Sequence, residues 1–99
     1  MLRLDDILQT LKQEKEFLRK EYGVQRIGVF GSFARGTQTQ DSDIDFVVDF
    51  DKDLPDLFET KYRLRRYLAD TFDRQVGLAN LEAIKPYVLE EISKEFRFV

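Results

Sequence analysis

The first 23 residues of the chain follow a helical pattern of apolar and polar positions. Apolar side chains recur every three or four residues with Lys and Glu between them, which is typical of an amphipathic helix. These positions are Leu4, Ile7, Leu8, Leu11, Leu18 and Tyr22. Gly23 follows the last of them, and glycine commonly ends a helix in the left-handed conformation. We therefore predict a long surface helix that ends at Gly23.

Three later stretches have the composition of β-strands. The first is "VQRIGVF", residues 24–30, in which Gly28 indicates either a bulge or a place where another backbone comes close. The second is "DIDFVVDF", residues 43–50, with β-branched and aromatic residues in its middle. The third is "RQVGLA", residues 74–79, which Gly77 weakens as a strand.

Two further helices are predicted around the third strand. The segment "DLPDLFETKYRLRRYLADTF", residues 53–72, is amphipathic, and Pro55 is tolerable in its first turn. Asn80 is suited to capping the segment after the third strand, and Pro86 to starting a final helix, "PYVLEEISKEF". The order helix, strand, strand, helix, strand, helix indicates an α/β (α+β-like) fold, with a small mixed β-sheet covered by helices.

Length and composition restrict the chemistry that this chain can perform. Its 99 residues suffice for a single domain, residues 1–99, but not for separate catalytic and substrate-recognition domains. No apolar run approaches the ~20 residues that cross a bilayer, and charges interrupt the N-terminal apolar stretches before a signal peptide can form, so we expect a cytoplasmic protein. Cysteine and histidine are absent, which excludes disulfides, Cys/His zinc sites and Ser-His triads. The net charge of −3 argues against direct binding along a nucleic-acid duplex.

The remaining candidates for chemistry are carboxylates, and two of them open the second strand. Ile44 and Phe46 point to one face of that strand, and Asp43 and Asp45 share the other, because side chains alternate with period two. Two carboxylates about 4 Å apart repel by roughly 4 kcal/mol at an effective dielectric constant near 20, so a positive partner is expected beside them. A hard divalent cation such as Mg²⁺ prefers oxygen ligands and usually takes one or two protein carboxylates. We therefore predict that Asp43 and Asp45 are metal-binding and catalytic residues.

The turn that follows the first strand offers groups that bind anions. Gly31 and Ser32 can present free backbone N–H groups and a hydroxyl to a phosphate. Arg35 lies one turn later and can add a charge-assisted contact. We therefore predict that Gly31, Ser32 and Arg35 bind a nucleoside triphosphate. Mg²⁺ would lie between its oxygens and the two aspartates, and a hydroxyl nucleophile would approach the α-phosphorus in line.

Each half of this pattern also has a purely structural explanation. A Gly-Ser pair after a strand is usually only a turn, and Asp-x-Asp is common as a capping or solvated pair. Both occur here in one order and spacing: strand, Gly-Ser, polar loop, then Asp-x-Asp at the start of an apolar strand. That combination indicates a nucleotidyltransferase-type site.

The motif "GSFARG…SDIDFVVDF" resembles the minimal nucleotidyltransferases of the DNA polymerase beta superfamily. The similarity continues loosely through "LRRYLADTFDRQVGLANLEAIKPYVLEEI", so it covers nearly the whole chain. Family members like this one are usually the small antitoxin partners of HEPN-domain toxin RNases, and they are encoded beside them in bacteria and archaea. The resemblance implies that the chain forms an oligomer with such a toxin and transfers AMP from ATP, with Mg²⁺, to a toxin hydroxyl. It assigns phosphate contact to Gly31 and Ser32, and metal binding to Asp43 and Asp45.

One family residue is missing from this sequence. The family has a third carboxylate on the strand after the second long helix, and the corresponding residue here is Gly77. Asp70 and Asp73 are near in sequence, but the first belongs to the helix end and the second precedes the strand. The alternative hypothesis is therefore a degenerate binding module that neutralises its partner by complex formation alone. A weaker possibility is transfer to a small molecule or to RNA.

Overall fold

The computed structural model describes all 99 residues, Met1 to Val99. Four strands form one mixed sheet in the order β3-β2-β1-β4, in which β1 is antiparallel to β2 and β4, and β2 is parallel to β3. The helices are α1 (Leu4–Tyr22), α2 (Ser32–Arg35), α3 (Leu57–Phe72) and α4 (Pro86–Ile92), with 3₁₀ turns at Leu81–Ala83 and Ser93–Glu95. The strands are β1 (Val24–Phe30), β2 (Ile44–Phe50), β3 (Val76–Asn80) and β4 (Arg97–Phe98). This mixed sheet with its helices confirms the predicted fold class.

The ends of the two long helices depend on single capping residues. Gly23 ends α1 with a φ of 65°, and its N–H donates to the carbonyl of Arg19, as the sequence predicts. Pro55 does not lie in the first turn of α3, so that prediction is wrong. The side chain of Asp56 accepts a hydrogen bond from the N–H of Glu59 at 3.1 Å, and the helix begins after this cap.

The core lies on one face of the sheet, beneath α1 and α3. Alternate residues of β2 enter this core, together with apolar residues of β1 and of both helices. Those of β2 are Ile44, Phe46, Val48 and Phe50. Asp45 lies between two of them in sequence and therefore projects from the opposite face. Folding thus fixes the strand that carries Asp45 without burying its carboxylate in the core.

The fourth strand was not predicted as part of the sheet. Arg97 and Phe98 pair with Val29 and Gly28 on β1, and the N–H of Val99 donates to the carbonyl of Ile27 at 3.1 Å. Gly28 permits this close approach, because a β-carbon there would lie 2.7 Å from the carbonyl oxygen of Arg97. Of the two predicted roles for Gly28, close approach of a backbone is therefore confirmed. None of the helices combines the length and the apolar character that crossing a membrane requires.

Candidate active site

Asp45 is the centre of the candidate site. On β2 it pairs in register with Phe30 of β1 on one side and with Gly77 of β3 on the other. Burial raises the pKa of the Asp45 carboxyl, and the negative charge of Asp43 raises it further, whereas Arg35 opposes the shift. Asp43 lies in the exposed segment just before β2, so the strand begins one residue later than predicted. The two carboxylates therefore interact, as their spacing predicts.

The backbone of Gly31 lies against the Asp45 carboxylate. Gly31 has φ 77° and ψ −152°, a conformation that residues with a β-carbon rarely adopt. A β-carbon at Gly31 would also overlap Oδ2 of Asp45. The turn at Gly31 and the carboxylate are thus in direct contact, and Ser32 follows as the first residue of α2.

Gly77 lies beside Asp45 on the other side. A β-carbon at Gly77 would lie 3.0 Å from Oδ1 of Asp45, so a side chain at this position would share the face of that carboxylate. No group of three or more carboxylates forms a potential metal centre in the structure. Neither Asp70 nor Asp73 therefore replaces the missing residue, and Asp73 instead ends α3 in a left-handed conformation with φ 51°.

Glu95 is a residue of this site that the sequence did not reveal. Its Oε1 accepts hydrogen bonds from the N–H of Gly31 and from Nη1 of Arg35, each at 3.0 Å, and the same Nη1 lies 3.0 Å from Oε2. The Arg35 guanidinium, with help from the Gly31 N–H, holds the pKa of the Glu95 carboxyl below its usual range. Two of the three residues predicted to bind phosphate, Gly31 and Arg35, therefore bind a carboxylate of the chain itself.

Arg74 is a second residue of this region that no sequence motif indicates. Its Nη1 donates to the carbonyl of Ser42 at 2.9 Å, and its guanidinium lies 5.2 Å from the ring centroid of Phe33. Ile44 is tied to the same region by a hydrogen bond from its N–H to the carbonyl of Gln75. These contacts hold the segment that carries Asp43 against the start of β3. A single arginine before a strand gives no sequence signal for such a role.

An open groove of about 370 Å³ adjoins the site along α3 and β3. The exposed rings of Phe58 and Tyr62 line it together with Lys61 and Arg65, and Gly77 forms part of its floor. The groove and the Gly31 turn lie on opposite sides of Asp45, because β3 and β1 flank β2. Asp45 therefore lies between the Gly31 turn on one side and the strand that borders the aromatic and basic groove on the other.

Comparison with known proteins shows which family the sequence belongs to. Residues 11–99 match the family model described as a nucleotidyltransferase domain. The chain is also 35% identical over 99 residues to the protein adenylyltransferase MntA of Thermococcus cleftensis, a similarity that spans 100% of this chain and 98% of that protein. The chain belongs to the minimal nucleotidyltransferases.

Solved structures share the fold of this minimal nucleotidyltransferase. A chain from a crystal structure of a toxin–antitoxin with AMP-PNP is 26% identical and superposes with a TM-score of 0.70, covering 88% of this chain and 69% of the other. A chain from the complex of tri-AMPylated Shewanella oneidensis HEPN toxin with MNT antitoxin is 20% identical, with a TM-score of 0.62. That match covers 92% of this chain and 70% of the other and bears on the fold alone.

Proposed function

We propose that this minimal nucleotidyltransferase transfers AMP from ATP to a hydroxyl of a partner protein, and that the partner is a HEPN-domain toxin. One observation carries the proposal: the Asp45 carboxylate lies directly against the Gly31 turn in a chain that is similar over its full length to MntA. The AMP-PNP toxin–antitoxin structure, which contains an analogue of ATP, supports a nucleotide substrate and a toxin partner.

The Gly31 turn and α2 would bind the triphosphate. The N–H of Gly31 and the guanidinium of Arg35 already hold two anionic oxygens, those of Glu95, which is the charge pattern that a phosphate presents. The hydroxyl of Ser32 is the third predicted phosphate contact. These groups would fix the triphosphate with its α-phosphorus near Asp45.

The two aspartates have the chemistry of a Mg²⁺ site. Their oxygens are hard ligands, and their mutual repulsion and the partial burial of Asp45 favour a bound cation. Magnesium, when bound, would neutralise charge on the α-phosphate and on the departing pyrophosphate. Asp43 and Asp45 would hold it, and they are the only family metal ligands that this chain retains.

The acceptor would approach along the groove between α3 and β3. Its hydroxyl oxygen would form a bond to the α-phosphorus while the bond from that phosphorus to the β-phosphate oxygen breaks, releasing pyrophosphate. Gly77 provides no base, so the hydroxyl proton would pass to water. We expect AMP transfer to be slow because no positioned base accepts this proton.

A second candidate function is neutralisation of the toxin by complex formation alone. The observation that favours it is Gly77, which leaves the metal site one carboxylate short. The two functions differ in whether covalent AMP appears on the partner.

The position of the radiolabel in ATP tests the proposed transfer. The protein is mixed with Mg²⁺ and the product of the adjacent gene, and with ATP labelled on either the α- or the γ-phosphate. We expect label on the partner only from the α-labelled nucleotide, because the γ-phosphate leaves with pyrophosphate. Label from γ-phosphate would instead indicate a kinase reaction, and a stable complex without label would indicate neutralisation by binding.

A further inference from the structure

Glu95 occupies the anion-binding groups of the candidate site. Its carboxylate accepts hydrogen bonds from the Gly31 N–H and from Arg35, although it lies 64 and 60 residues away from them in the chain. These contacts are charge-assisted and satisfy donors that would otherwise face water. Two of the predicted phosphate-binding groups, the Gly31 N–H and the Arg35 guanidinium, are therefore already bound by a carboxylate of the chain.

The C-terminal segment delivers Glu95 to this position. The Phe96 ring, next in the chain, packs on Phe30 with ring centroids 5.7 Å apart, and Arg97 and Phe98 then pair with β1. Phe30 is the residue that immediately precedes Gly31, so this packing places the Glu95 side chain at the turn. The backbone around Glu95 is anchored, whereas its side chain is 27% exposed and has room to swing into solvent.

We propose that Glu95 is an internal competitor of the nucleotide, which must displace the Glu95 carboxylate before its phosphates reach Gly31 and Arg35. The inference rests on the proposed function, because it assigns the same two groups to phosphate. Only a ligand that brings its own anionic oxygens can replace the carboxylate without leaving Arg35 unpaired. Glu95 thereby lowers the affinity for nucleotide without contacting it.

The size of the effect follows from the population of the open site. When a binding site is free for only a fraction of the time, the apparent dissociation constant rises by the inverse of that fraction. If Glu95 holds the site closed about nine-tenths of the time, its removal tightens phosphate binding about tenfold. A ligand without phosphate does not bind the Gly31 N–H or Arg35, so removal of Glu95 leaves its affinity unchanged.

Titration calorimetry of Glu95 variants tests the competition. Binding of ATP with Mg²⁺, and of adenosine, is measured for wild type, Glu95→Gln and Glu95→Ala in the absence of partner. Glu91→Ala is the matched control, because Glu91 is an exposed glutamate of α4 and makes no ion pair. Circular dichroism checks that each variant is folded.

We expect ATP to bind Glu95→Ala about tenfold more tightly than wild type. The ATP affinity of Glu95→Gln should lie between those of wild type and Glu95→Ala, because its amide oxygen still accepts the same bonds without charge. The ATP affinity of Glu91→Ala should match that of wild type. Adenosine affinity should not change in any variant. Equal or weaker ATP binding by both Glu95 variants would overturn the inference while leaving the proposed function intact. ATP binding by none of the proteins would overturn both.

Discussion

Gly77→Asp is expected to raise the rate of AMP transfer by about 10²-fold, the lower end of what a positioned base contributes. The parallel register places residue 77 beside Asp45, and a β-carbon there lies 3.0 Å from Oδ1 of that carboxylate. Asp45 must shift by a few tenths of an ångström to accommodate it. A carboxylate at this position would complete the family's set of three and could accept the hydroxyl proton.

The matched control for this gain is Gly77→Asn, which adds nearly the same volume without the charge. Transfer of α-label to the partner is measured for wild type and for both variants, and thermal unfolding is followed with and without Mg²⁺. Mg²⁺ should stabilise Gly77→Asp more than Gly77→Asn, because three carboxylates repel one another without a cation. A Gly77→Asp protein that folds, binds Mg²⁺ and transfers no faster than Gly77→Asn would contradict the idea of a missing ligand.

Gly31→Ala is expected to reduce transfer by at least about 10²-fold, as misplacement of reacting groups by an ångström can do. The backbone of Gly31 has a φ of 77° and a ψ that only glycine adopts easily, and the new methyl would overlap Oδ2 of Asp45. Either the turn or the carboxylate must move, and both belong to the proposed site.

Gly36→Ala separates the two causes of this loss, which are the strain of a left-handed backbone and the overlap with the Asp45 carboxylate. Gly36 also has a φ of 77°, but a β-carbon there meets nothing within 4 Å. We expect Gly36→Ala to lose about 1–2 kcal/mol of unfolding free energy from left-handed strain and to keep its transfer rate. Comparable loss of transfer in the two variants, measured with α-labelled ATP and normalised to the folded fraction, would show that contact with Asp45 does not matter.

Local patterns in the sequence predicted most of the sheet and its helices. Helix α1 could be predicted because helical spacing and a glycine cap are signals that involve residues only a few positions apart. The helix ends at Tyr22, where the apolar spacing ends and Gly23 caps it. Alternation along β2 likewise predicted that Asp45 faces away from the core. The prediction that Pro55 lies in the first turn of α3 is wrong because proline and Asp56 both favour a helix start. The Asp56 side chain caps the helix, so α3 begins after it.

The contacts that complete the site could not be predicted because they join distant parts of the chain. The C-terminal residues "FRFV" contain no turn signal that indicates a partner strand, and they pair with β1 where Gly28 permits the close approach of the two backbones. Glu95 reaches Gly31 through that placement, and Arg74 reaches Ser42 from 32 residues away. Neither residue belongs to a motif, so its role depends on the folded structure.

The most direct test of the proposed function is the intact mass of the partner after co-expression with this chain. Mass spectrometry compares the product of the adjacent gene co-expressed with wild type and with Asp43→Asn. Asp43 is exposed, so its replacement removes one of the two charges proposed to bind metal without disturbing the core. The proposed function predicts that the partner gains the mass of one or more AMP groups with wild type and none with Asp43→Asn. Equal adducts in both samples, or none with wild type, would contradict it.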